Sequence, residues 1–159
     1  MSRLDSAIRR LTAQRDCLAA ALARAPDGAL LEIGLGNGRT FDHLSEIAPD
    51  RDLWVIDREM NAHPSCAPLD PAFFLQGEAG DMLDALFERV GRGVAMVHYD
   101  LGIGLPEHDT PLRLSLTDRI TRLMVPGAML VSNSAFEGMA REPLPEGVAA
   151  DRYFIHRVE

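Results

Sequence analysis

The sequence predicts an α/β fold, a doubly wound and mostly parallel sheet with helices on both faces. Three observations predict it. Apolar runs of strand length recur along the chain, stretches of helical periodicity alternate with them, and a glycine-rich turn, LLEIGLGNGRT at 30–40, links the first run to the next helix. The 159 residues suffice for one ordinary hydrophobic core. We therefore expect one domain over 1–159, with an N-terminal helix over 1–25 leading into a core over 26–159.

The elements follow in order. Leu4, Ile8, Leu11, Leu18 and Leu22 recur at helical spacings and predict an amphipathic helix over 2–24, capped by Ser2 or Asp5 and stopped by Pro26-Asp27-Gly28. Such a helix packs on its domain, forms a dimer seam or covers a ligand. Ala29 to Ile33 reads as the first strand, and a helix carrying Phe41, Leu44, Ile47 and Ala48 on one face follows the turn. DLWVID at 52–57 is the second strand. Residues 58–72 hold Pro64, Pro68 and Pro71 without helical period, so an irregular crossover is expected there. AFFLQG gives the third strand, and Leu83, Leu86, Phe87 and Val90 stripe the next helix, with Asp81 near its start. GVAMVHYD is the fourth strand. A second glycine-bearing loop, LGIGLPEHDT, precedes a helix opened by Thr110-Pro111, and PGAMLVSN gives the fifth strand. After Asn133 only RYFIHRV reads as a strand.

Composition excludes several function classes. All 16 basic residues are arginine, and without a lysine the chain can form neither a Schiff base nor a Walker-type phosphate loop. The formal net charge of −8, with acidic residues spread along the chain, argues against a nucleic-acid partner. No apolar run approaches the roughly 20 residues that span a bilayer, so no membrane partner is expected. The charged opening stretch lacks the apolar centre of a secretory signal, and Cys17 and Cys66 form no CxxC pair, which together suggest the cytoplasm.

The turn itself suits a nucleotide, since glycines admit positive φ and let backbone N–H groups approach a ligand at the carboxyl ends of the strands. The dinucleotide fingerprint is G-x-G-x-x-G, whereas Gly34, Gly36 and Gly38 are spaced two and two and Arg39 stands at the third glycine's place. Glu32, near the end of a buried strand, needs a cationic or hydrogen-bonding partner. A sulfonium cofactor meets that need and a pyrophosphate does not; a cap or a structural pair within the core are the other readings of Glu32.

LLEIGLGNGRT, the VID ending strand two, LQGEAGD, VHYD and VPGAMLVS, in that order across 29–133, resemble the class I S-adenosylmethionine-dependent methyltransferase family, in particular a small bacterial subgroup with a similar Arg- and Leu-rich first helix. The resemblance implies a Rossmann-like sheet of seven strands with the last antiparallel. The residues themselves give six or seven: either a short strand hides in 134–150, or an edge is missing, which would invite a homo-oligomer. It also implies S-adenosyl-L-methionine as cofactor and S-adenosyl-L-homocysteine as product. The backbone of Gly34, Leu35, Gly36, Asn37 and Gly38, with Thr40 beside it, would lie along the methionine part, and Glu32 near its amino group. Asp57 would bind the ribose hydroxyls, with Arg58 adjacent. Gly77, Glu78 and Ala79 would face the adenine edge, Asp81 being the alternative. Tyr99 and Asp100 would line the junction of cofactor and acceptor.

Methyl transfer from a sulfonium needs chiefly alignment, and a general base only when the acceptor must lose a proton. His98 and Asp100 are the catalytic candidates, although a strand-end histidine also serves as a hydrogen-bonded core residue. No metal is expected: His63-Pro-Ser-Cys66 and His108-Asp109 lack the paired spacing of a zinc site. His43 and His156 receive no role. The Asn-Pro-Pro-Tyr type motif of nucleic-acid amine methyltransferases is absent after the fourth strand, which favours a small-molecule acceptor. Arg58, Glu59 and His63 in one loop and Glu107 and His108 in the other are the acceptor-side candidates. A non-catalytic nucleoside-binding module and a nicotinamide-dependent oxidoreductase are the competing readings.

Overall fold

The structure, a computed structural model, describes residues 1–159. Helix α1 spans Arg3–Arg24 and opens with a reciprocal cap, Ser2 accepting from the Asp5 amide and Asp5 accepting from that of Ser2. Strand β1 (Ala29–Ile33), helix α2 (Arg39–Ile47), β2 (Leu53–Asp57), β3 (Phe74–Gln76), α3 (Ala79–Val90), β4 (Val94–Tyr99), α4 (Pro106–Leu123), β5 (Met124–Ser132), β6 (Ala140–Arg141) and β7 (Phe154–Arg157) follow. The seven strands form one sheet in the order β3-β2-β1-β4-β5-β7-β6. β1 to β5 run parallel, and β7 is antiparallel to both β5 and β6.

The strand period of two divides the core between the faces. Leu31 and Ile33, with Val97 and Leu130, point to the side covered by α3 and α4, where Leu83, Leu86, Leu116 and Ile120 meet them. Leu30, Met96, Met129 and Val131 point to the other side, under α1 and α2. Each such buried aliphatic side chain contributes about 1.5–3 kcal/mol of apolar burial. Ala13, Cys17 and Ala21 let α1 approach the sheet closely, and burial pushes the Cys17 thiol up to about 11. The proline-rich crossover at 58–72 stays irregular up to a single 3-10 turn at Pro71–Phe73, and its Ala62, Ala67 and Leu69 pack on Phe41 and Val55 where a helix would otherwise lie.

Two expectations are corrected and one alternative is decided. The stripe Leu4–Ile8–Leu11 does not pack on the domain: Leu4 and Ile8 are 69% and 53% exposed, and α1 instead buries Ala13, Gln14, Cys17, Leu18 and Ala21. Helix α4 begins at Pro106 rather than Thr110-Pro111. Pro106 occupies the first turn, where a missing N–H is harmless, and the Asp109 carboxylate accepts from the Ile103 and Gly104 amides, tying the preceding loop to the helix. Of the two alternatives left open after Asn133, the structure has the short strand: β6, whose two residues pair with Arg157 and His156, completes seven strands.

Candidate active site

β1 ends at Ile33 and the chain turns through Gly34 and Gly36 at φ +93° and +53°, backbone that favours glycine. A Cβ on Gly34 would lie 2.7 Å from the Asp100 carbonyl oxygen, so this approach of β1 to the end of β4 requires glycine. A Cβ on Gly36 would meet no protein atom within 4 Å. Asp57, the last residue of β2, braces the turn: its Oδ2 accepts from the amides of Leu35 (2.7 Å) and Gly36 (3.3 Å), and its Oδ1 from that of Glu59 (3.2 Å).

Two cavities meet at this turn, sharing Gly34, Gly36 and Asp100. The larger, about 490 Å³, brings in Asp57 and Arg58 from the end of β2 and Gly77, Glu78 and Ala79 from the start of α3; Leu101, His108, Leu112 and Arg119 form its far wall. The smaller, about 270 Å³, adds Leu35, Asn37 and Thr40, with Arg10, Leu11 and Gln14 reaching in from α1. Asp81, Glu59, His63 and Glu107 line neither. His63 caps its own turn, accepting from the Ser65 amide. Gly38 caps α2 and also stays outside.

Glu32, His98 and Tyr99 are buried and line neither cavity. Tyr99 points to the α3–α4 side, edge-on to Phe136, and burial pushes its phenol up to about 12. Glu32 and His98 are register partners on β1 and β4, with His98 Nδ1 2.8 Å from Glu32 Oε1. Burial disfavours a charged ring, but the Glu32 carboxylate together with Asp100 outweighs it and holds the His98 pKa above its ordinary value. The Thr40 hydroxyl donates to the same Oε1, while Oε2 is buried without a protein partner.

The profile of a family described as S-adenosyl-L-methionine methyltransferase matches residues 1–158. This chain belongs to that family. A solved S-adenosyl-L-methionine methyltransferase from Silicibacter pomeroyi is 35% identical with a TM-score of 0.90, covering 100% of this chain and 99% of its own. TrmN from Thermus thermophilus (15% identity, 92% of this chain and 48% of that one, TM-score 0.62) shares the fold. So does a putative methyltransferase from Streptococcus mutans solved with S-adenosylhomocysteine (12%, 94% and 98%, TM-score 0.52). Comparison with curated proteins gives no match.

The methyltransferase uses S-adenosyl-L-methionine as its methyl donor, and the residues present fit it. Gly36 leaves open the space where the two cavities join, and Glu32 Oε2 lies buried beneath the turn without a protein partner. Sequence reasoning missed Arg10 and Gln14. They lie among polar residues of a surface helix, and the only signal was that such a helix can cover a ligand.

Proposed function

We propose that the methyltransferase acts on a small-molecule acceptor, holding the nucleoside end of its donor in the larger cavity and the amino-acid end in the smaller. The observation that carries this is the junction at Gly34, Gly36 and Asp100, with Asp57 on one side of it and Arg10 and Gln14 on the other. Asp57 accepts from the ribose hydroxyls beside Arg58, and Gly77, Glu78 and Ala79 face the adenine edge. The backbone from Gly34 to Asn37 runs along the methionine part, where Thr40 closes the wall. Arg10, which has no ion-pair partner within the chain, takes the carboxylate, and Asp100 takes the ammonium. The bound donor supplies a methyl group on a sulfonium.

The chain contributes alignment, and Asp100, at the junction, is the group that takes a proton from an acceptor. His98 touches neither ligand, so its part goes through its neighbours. The net charge of −8 disfavours a polyanionic acceptor. The free cysteines Cys17 and Cys66 support a reducing, cytoplasmic setting and the whole chain acts as one domain.

Calorimetry with S-adenosylhomocysteine and adenosine tests the placement. Arg10→Ala should weaken the first about tenfold or more and leave the second unchanged; equal losses for both ligands would overturn it. Transfer of labelled methyl to a panel of small amines, acids and phenols, run beside RNA transcripts, tests the acceptor class. Labelling of RNA alone would refute the small-molecule reading.

A further inference from the structure

Asp100 is held in place by residues from the two ends of the chain. Gln14 Nε2, on α1, donates to Asp100 Oδ2 at 3.1 Å and to the Tyr153 hydroxyl oxygen at 3.3 Å. Asn133 Nδ2 donates to Asp100 Oδ1 at 3.0 Å. The Tyr153 hydroxyl in turn lies 2.6 Å from His98 Nε2, and His98 Nδ1 meets Glu32. Gln14, Tyr153, His98 and Glu32 are each at most 4% exposed. A line of hydrogen bonds thus runs from the buried pair beneath the turn, through Tyr153 and Gln14, to the carboxylate where the cavities meet.

The chemistry of these groups says what the line can do. An amide nitrogen is a donor only, so Gln14 sends its two hydrogens outward, one to Tyr153 and one to Asp100. It has no ready site to receive a proton and pass it on. The line therefore orients Asp100 and does not relay protons from it to His98. Whichever of Tyr153 and His98 donates, the hydroxyl oxygen keeps a lone pair for Gln14.

The residue before Tyr153 grips the same helix. Arg152 Nη2 donates to the Ser6 carbonyl oxygen at 2.7 Å and to the Ser6 hydroxyl at 2.9 Å. Ser6 and Gln14 stand about 12 Å apart along α1 at 1.5 Å per residue. Between these two holds lie Arg10 and Leu11, which line the smaller cavity. Residues 152 and 153 thus fasten the part of α1 that borders it.

We infer that Tyr153 is a positioning residue of the donor site, fixing through Gln14 both the Asp100 carboxylate and the stretch of α1 that borders the smaller cavity. This rests on the reading of that cavity as the amino-acid end. Tyr153 belongs to none of the motifs at the carboxyl ends of the strands. Its place before β7 brings the hydroxyl to the α1–α2 side of β4, within reach of the otherwise occupied His98.

Tyr153→Phe keeps the ring and deletes the hydroxyl, and Gln14→Met keeps the length and deletes the donor. Each should weaken S-adenosylhomocysteine binding by calorimetry about tenfold and leave adenosine binding unchanged. Because both cut one line, the double variant should bind no worse than the weaker single one. Additive losses, parallel loss of adenosine, or wild-type affinity for S-adenosylhomocysteine would each overturn the inference. Gln14→Met carries the test should Tyr153→Phe fail to fold. Arg10→Ala separates the two levels: with selective loss there and none in Tyr153→Phe, the inference alone falls. Without selective loss in Arg10→Ala, the site reading falls and takes the inference with it.

Discussion

Asp57→Ala perturbs the donor site at one well-defined point. The carboxylate that ends β2 accepts from the Leu35 amide at 2.7 Å and the Gly36 amide at 3.3 Å, and it lines the larger cavity. Removing it takes away the brace of the turn and, on the proposed placement, the charged acceptor for the ribose diol. A hydrogen bond to a charged group contributes about 1.5–3 kcal/mol. Asp57 is half-buried, which places the loss near the middle of that range. About 2 kcal/mol corresponds to roughly a 30-fold weaker Kd. Asp57→Asn keeps an oxygen for the Leu35 amide and loses only the charge, so its loss should be smaller. Calorimetric titration with S-adenosylhomocysteine and with adenosine measures both variants. Asp57→Ala should weaken the two ligands alike, because both carry the ribose. Affinity within about twofold of wild type would refute the assignment.

Gly36→Ala places a Cβ in open space at a left-handed backbone, so stability should fall only about 1–2 kcal/mol while donor binding drops at least tenfold. Gly34→Ala drives a Cβ against the Asp100 carbonyl oxygen and should cost the fold itself, read as loss of the cooperative melt. Glu32→Gln removes one partner of a buried pair, worth roughly 3–5 kcal/mol, and should lower Tm by roughly 10 °C in calorimetric melts. The raised His98 pKa sets the sign of the pH dependence: its contribution is full below about pH 6.5 and fades as pH rises through the folded-state value, a slope that Glu32→Gln should flatten. His156 behaves oppositely. Burial, with Arg141 and Arg113 nearby, pushes its pKa down to about 4, so its stabilisation holds above about pH 6.5 and is lost as pH falls towards 4. Urea midpoints across that window should fall less steeply in His156→Phe than in wild type, although the variant loses the acceptor of the Phe136 amide.

Much of the fold was legible because its signals are local. The apolar run, the paired glycines and the stripe of α2 lie within a few residues of one another, and Pro64, Pro68 and Pro71 announced the irregular crossover. β6 was not legible, since Ala140 and Arg141 cannot display a period of two in two residues. The start of α4 was obscured because Pro106 and Pro111 both suit a first turn, and the choice rests on Asp109 bonding back across the loop. The exposed stripe of α1 misled for a tertiary reason: its small residues, not its leucines alone, face the sheet. Of the residues that the motifs and the family resemblance named, Gly34, Gly36, Asp57, Glu78, Ala79 and Asp100 come together along the cavities because the ends of β1, β2 and β4 and the start of α3 meet there. Tyr153 escaped, being joined to Gln14 across 139 residues. The Glu32–His98 pair left a trace, each residue being the one polar side chain before the last position of an otherwise apolar strand.

Burial decides how the acidic residues under the turn divide their work. Glu32 is wholly buried, and its Oε1 already receives Thr40 and His98, so its charge is spent on joining β1, β4 and the start of α2. Asp100 is two residues beyond His98 on the same strand end, where the chain leaves the sheet, and it lines both cavities. A cationic ligand at the turn feels both carboxylates, but only Asp100 can be touched. Two carboxylates so near oppose each other, and the hydrogen-bond partners of Glu32 Oε1 offset part of that cost. The imidazole of His98, whose pKa Glu32 and Asp100 raise against burial, meets Glu32 through one nitrogen and Tyr153 through the other. The pair that compensates a costly charge in the core is therefore also the fixed end of the line that orients Asp100.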